Sequence, residues 1–126
     1  MARLEVDGSL LSLRLEPLER LGALHGDVTV ALAQVVAVHT SSEMWRELRG
    51  IRAPGTGFPY LIMLGTTRYR GGTDFCAVYR RGPGVVVDLA DAAFSRLLVS
   101  VAGAGRARAL ADRISFAVRS ASVSDA

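Results

Sequence analysis

Lysine and asparagine are absent from this chain, and its 126 residues include one cysteine and two histidines. All fifteen basic residues are therefore arginine. Such uniformity follows a biased codon usage as readily as a function, so the arginine count alone is no argument for nucleic-acid binding. A single thiol, Cys76, excludes an intramolecular disulfide and a cysteine-built zinc cage. No apolar run approaches the ~18 residues that a membrane-spanning helix needs. The first residues, MARLEVDGSL, lack the positive-then-apolar order of a signal peptide, so cytoplasm is the expected compartment. No Walker A loop, GxGxxG, GxSxG or HExxH occurs, and no acidic cluster has metal-ligand spacing. Neither an enzyme nor a metal or cofactor is expected.

What is present is apolar. Half of the residues are hydrophobic, and mean hydropathy is +0.29. A chain of this length folds as one domain with a large surface for its volume, so part of that apolar content must lie near the outside. Several strands carry apolar residues on both faces: Leu10-Leu11, Val35-Val36, Leu61-Ile62-Met63 and Leu97-Leu98. A sheet with one wet face alternates more cleanly. This pattern predicts a homo-oligomer.

Along the chain, Arg3–Asp7 alternates, and Asp7-Gly8 is a hairpin turn signal. Residues 9–16 form the return strand, which Pro17 ends. Residues 18–24 read as one or two helical turns closed by Gly26. Residues 27–32 and 35–40 are strands interrupted at Ala33-Gln34. Ser41 or Ser42 caps a short helix through Leu48, with Trp45 and Leu48 as a lid on the core. Residues 60–69, 73–80, 85–89 and 94–101 are strands separated by Gly71-Gly72, Gly82-Pro83-Gly84 and residues 90–93. After Val101 the period changes from two to 3.6: Ala107, Leu110, Ala111, Ile114, Ala117 and Val118 form one stripe of a helix beginning near Arg106. The expected domain spans residues 1–119, followed by a polar tail, 120–126.

The chemistry-bearing stretch is LRGIRAPGTGFPYLIMLGTT, residues 48–67. A glycine- and proline-rich loop there places two guanidinium groups beside backbone that glycine can bend, one way to build an anion pocket. Arg49, Arg52, Gly55, Thr56 and Gly57 are its candidate ligand-binding residues. The plainer alternative is a structural loop whose arginines pair with nearby acids or carbonyls. From Arg49 to Arg81 there are six arginines against one acid, Asp74, so a local basic patch is possible. Tyr69 and Tyr79 flank four of those arginines, but a nucleic-acid platform needs exposed rings. No nucleic-acid partner is expected. His25, His39 and Cys76 stand in a turn, at a strand end and at a packing position, so Cys76 is expected to be buried and inert. Phe116 falls opposite the Ala107–Ile114 stripe and is the candidate oligomer contact.

Strands followed by one C-terminal amphipathic helix resemble the pleckstrin-homology-like fold, in particular small bacterial PH-like proteins of an actinobacterial type. The resemblance rests on DVTVALAQVVAVHT, on the glycine-turned hairpin, on FSRLLVSVAGAGRARALADRI and on the central RGIRAPGTG segment. It implies a mostly β fold: an antiparallel barrel or sandwich of about seven strands capped by the helix. It also implies a non-catalytic habit of binding lipids, peptides or like subunits. The expected function is a self-associating binding or assembly module. The alternative is a β-barrel that binds a small or anionic ligand through the Arg49–Gly57 loop.

Overall fold

The structure, a computed structural model, describes residues 1–124; of residues 52–54 and 122–124 only the backbone is described. The fold is mostly β, a sandwich-like arrangement of two sheets with one long C-terminal helix. Strands β1 (Arg3–Asp7), β2 (Leu10–Arg14) and β3 (Val28–Ala31) form a small antiparallel sheet. Strands β4 (Val35–Ser41), β5 (Ile51–Phe58), β6 (Ile62–Tyr69), β7 (Gly72–Tyr79), β8 (Gly84–Leu89) and β9 (Arg96–Ser100) form the second, in the order β4-β8-β9-β7-β6-β5. Helix α1 (Pro17–Ala23) joins β2 to β3, and α2 (Ala104–Ser124) closes the described chain.

The mostly β fold closed by one C-terminal helix is as expected, a sandwich rather than a barrel; four details differ. The described strands number nine, and the sheets do not close into a barrel. One pair is parallel, β7 with β9, because β9 folds back between β8 and β7. The glycine- and proline-rich segment is not a loop but strand β5 at the sheet edge. A register shift between Arg52 and Gly55 takes up the residues between them, among them Pro54, which has no amide proton to give a ladder. Finally, α2 is longer than the expected 106–119: it includes residues 120–124 of the expected tail, while residues 125 and 126 lie outside the described residues.

Alternation along the six strands sends side chains to two faces. Phe75, Ala77, Val85, Val87, Leu97 and Val99 face the main core. They meet Leu11, Leu13, Val28 and Val30 of the small sheet and Ala107, Ala111 and Ile114 of α2. The opposite face carries Cys76, Val78, Val86 and Leu98, all fully buried.

What covers that second face is the connection from β4 to β5. These strands lie at opposite edges of the sheet, so residues 42–50 must cross it. Five inter-strand spacings make a crossing of about 24 Å. Nine residues reach only about 30 Å. That leaves room for one helical turn, and the expected helix is reduced to a single 3₁₀ turn, Met44–Glu47. Met44 is buried against the sheet, and Trp45 and Leu48 pack beside it, as the lid reading required. The two-faced pattern of Leu97-Leu98 is thus satisfied inside one chain and does not call for a second subunit.

The strap lies close on β8. A Cβ on Gly84 would fall 2.6 Å from Met44 Cγ and 2.8 Å from its Sδ, and closer still to the Val99 carbonyl oxygen. Gly84→Ala is therefore expected to cost about 1–3 kcal/mol by overpacking. Urea unfolding measures it; a loss below about 0.5 kcal/mol would mean that the strap yields freely.

Candidate functional site

The sole acid within the arginine-rich stretch, Asp74, is the hub of a buried cluster. Strand β7 points it to the strap side of the sheet, where it is wholly inaccessible. Arg49, at the end of the strap, donates Nε (2.8 Å) and Nη2 (3.1 Å) to the two carboxylate oxygens. Arg96, the partner of Asp74 across the parallel β7–β9 ladder, donates Nε (3.1 Å) and Nη2 (2.9 Å). The Tyr69 hydroxyl donates at 2.8 Å, and the Arg49 guanidinium lies 4.2 Å from that ring's centre. Burial alone would raise the Asp74 pKa. The hydrogen bonds from Arg49, Arg96 and Tyr69 outweigh it and hold the carboxyl below its ordinary value. Arg96 Nη2 also donates to the Glu47 carbonyl at 2.5 Å, so the cluster ties the strap to the sheet.

This geometry bears on each proposed anion ligand. The Arg49 guanidinium is committed to Asp74. The side chain of Arg52 lies outside the described residues. Gly55, at φ +147°, sits in the β5–β6 ladder, where a Cβ would strike the Leu64 carbonyl oxygen. The Thr56 hydroxyl donates to the Gly22 carbonyl at 2.7 Å and so ties β5 to α1. Gly57 lines a shallow groove with Trp45, Tyr60 and Met63. The structure brings Arg49 to an acid and leaves the other described members apart from it.

The remaining groups singled out in the sequence resolve in the same way. Cys76 is fully buried, and burial pushes its thiol up to about 12, so it stays protonated at neutral pH. His39 Nε2 lies 3.5 Å from Glu47 and Nδ1 3.7 Å from Asp88, two carboxylates on opposite sides of the ring that cannot share one ion with it. The Tyr69 and Tyr79 hydroxyls are both turned to carboxylates, and their rings are half-buried. Phe116, the candidate oligomer contact, is exposed beside a groove lined by Gly8, Ala31, Ala33 and Ala121.

A cleft of about 560 Å³ opens where α1, the β7–β8 turn and the approach to α2 meet. Its walls include Leu18, Tyr79, Arg80, Pro83, Val101 and Ala102. On one side Tyr79 donates its hydroxyl to buried Glu19 at 2.5 Å. Burial, reinforced by that carboxylate, pushes the phenol up, so it remains a donor. Glu19 also accepts the amides of Ala2 and Glu16, the latter opening α1. Leu18 on its wall stands exposed to water; Leu21 of α1, Leu61, and Phe58 and Tyr60 of the separate groove that Trp45 and Met63 line, are exposed as well. Arg80 connects the cleft to the β5–β6 turn. Its amide donates to the Leu61 carbonyl, its carbonyl accepts the Trp45 indole N–H, and its neighbour Arg81 lies 5.2 Å from the centre of the Tyr60 ring.

Sequence reasoning missed the cleft because residues 16–19, 79–83 and 100–103 carry no joint signal before folding. Asp74 was findable: a single acid amid six arginines is the natural counter-ion.

No described helix is long and apolar enough to cross a membrane, and among the described residues no group of three His, Cys, Asp or Glu side chains is placed to hold a metal ion. Comparison with protein-family models, with curated proteins and with solved structures yields no match.

Proposed function

We propose that the protein is a non-enzymatic binding or assembly module of the pleckstrin-homology-like kind, and that it associates with itself. One observation carries this reading: large apolar side chains stand in water on α1 and at the β5–β6 turn, Leu18 foremost among them at the wall of an open cleft. Water gains nothing from such side chains, and apolar surface beside an open cleft supports an interaction role. Of the two-faced strands, Leu97-Leu98 no longer contributes, since the strap covers its outer face, while Leu10, Val36 and Leu61 remain exposed. A closed two-fold dimer is the commonest form of self-association. Light scattering coupled to size-exclusion chromatography is expected to give twice the chain mass at micromolar concentration. A single-chain mass at about 100 µM, where a contact of ordinary dimer strength is saturated, would sink the reading.

A further inference from the structure

We infer that the 560 Å³ cleft between α1, the β7–β8 turn and the approach to α2 binds a small apolar monocarboxylate. Arg80 holds its carboxylate, and Leu18, Val101 and Ala102 receive its apolar body. The inference does not depend on self-association.

Sites for small molecules enclose about 300–1,000 Å³ and are mostly apolar, with a few placed polar groups that fix orientation. This cleft lies within that range, and its apolar wall is formed by Leu18, Pro83, Val101 and Ala102. The exposed, unmatched charge on it is positive. Glu16 accepts the Met1 ammonium at 2.7 Å. Glu19 is buried and accepts three hydrogen bonds, from the amides of Ala2 and Glu16 and from the Tyr79 hydroxyl. Arg81 pairs with Glu43 at 3.2 Å. That leaves Arg80, which is exposed and whose guanidinium makes no hydrogen bond or ion pair among the described residues.

The backbone at Arg80 points the same way. Its φ is +54°, in the left-handed region that favours glycine. The residue is held there from both sides: its amide donates to the Leu61 carbonyl at 2.8 Å, and its carbonyl accepts the Trp45 indole N–H at 2.6 Å. Glycine would make this turn with less strain. A long cation kept in such a conformation, at the lining of a cleft and without a partner, is the kind of outlier that accompanies a ligand clamp. One planar guanidinium matches the two oxygens of a carboxylate. A phosphate dianion would call for a second free cation, and Arg81 is engaged by Glu43 and lies over the Tyr60 ring.

The test is a titration of the full chain with decanoate, read by calorimetry and by the fluorescence of Trp45, the sole tryptophan, whose indole is bonded to the Arg80 carbonyl. Decanoate is expected to bind with a Kd below about 1 mM, and decan-1-ol, with the same tail and no charge, at least about tenfold more weakly. Arg80→Gln, and Leu18→Asp, which sets a carboxylate on the apolar wall, are each expected to weaken decanoate at least about tenfold, while Arg108→Gln on α2 leaves it within about twofold. Thermal melts establish that each variant is folded. Arg80→Gly, which suits the left-handed backbone, is expected to lose binding without losing thermal stability, and it serves if Arg80→Gln is disturbed. Absence of decanoate binding to wild type at about 1 mM overturns the inference, and a dimer seen under those conditions leaves self-association standing. Equal affinity for decan-1-ol, or an affinity that both Arg80 variants retain, overturns the role of Arg80. Inorganic phosphate bound more tightly than decanoate, or phosphatidylglycerol vesicles bound where free decanoate is not, overturns the assignment in favour of a phosphate or of a membrane surface.

Discussion

Replacing Asp74 with alanine is expected to cost about 3–5 kcal/mol of folding stability, the ordinary penalty for breaking a buried ion pair from one side. The loss falls mainly on Arg96. Its side chain is only 11% exposed, and without Asp74 it keeps, among the described residues, the Glu47 carbonyl as its acceptor. Arg49 contributes less, because at 42% exposure it can turn to water. Urea unfolding reads the loss directly. The paired change Asp74→Leu with Arg96→Met removes both charges and is expected to recover more than half of it, since a buried pair can be replaced by apolar side chains at little cost. If the single change costs less than about 1 kcal/mol, the cluster is hydrated and the pairing is ornamental.

The same carboxyl sets a pH dependence. Its folded-state pKa is depressed, so its contribution is complete above the unfolded-state value of about 3.9 and is lost as pH falls through the lower folded value. Wild type should therefore lose stability on acidification more steeply than Asp74→Asn. Asp27 and Glu5, also held below their ordinary values by hydrogen bonds from Leu15 and Arg3, remain in both proteins and cancel in the comparison.

Ile114→Ala is expected to cost about 2–5 kcal/mol. Ile114 is fully buried, and it faces the core in which α2 meets β4 and β8. Of its neighbours on that stripe, Ala107, Ala111 and Ala117 are too small to fill the space, and Leu110 and Val118 are already packed against the core. Chemical unfolding checks it, and a loss below about 0.5 kcal/mol would mean that α2 is not part of the cooperative core.

Most of the fold is legible in the sequence, for local reasons. The β1–β2 hairpin is signalled by Asp7-Gly8, although the turn itself falls one residue on, at Gly8-Ser9, with Asp7 paired to Leu10; the β7–β8 turn follows from Gly82-Pro83-Gly84, and α2 from a 3.6-residue stripe that needs only its own helix to be seen. Residues 51–58 failed because the local signal and the actual constraint differ. Glycine and proline there speak for a loop, but an edge strand with a register shift admits both, and only the ladder to β6 shows it. Exposure of Phe116 and burial of Cys76 were likewise readable, each from its place in one period.

Strand order was not readable. Pairing across a sheet depends on which distant segments meet, and neither the return of β9 between β8 and β7 nor the placement of β4 and β5 at opposite edges leaves a mark on neighbouring residues. From that order come the features that matter most here. The strap must cross a whole sheet face, which is why apolar residues on both faces of β9 are satisfied within one chain. Asp74 meets Arg96 only because β7 and β9 lie side by side, and Leu18 shares a cleft with Arg80 only because α1 packs against that sheet. The sequence by itself determined the elements, their periods and their turns, since these are set by neighbours three or four residues away. Which acid neutralises which arginine, and which leucines are left in water, was decided by tertiary contacts between residues 22 to 62 positions apart.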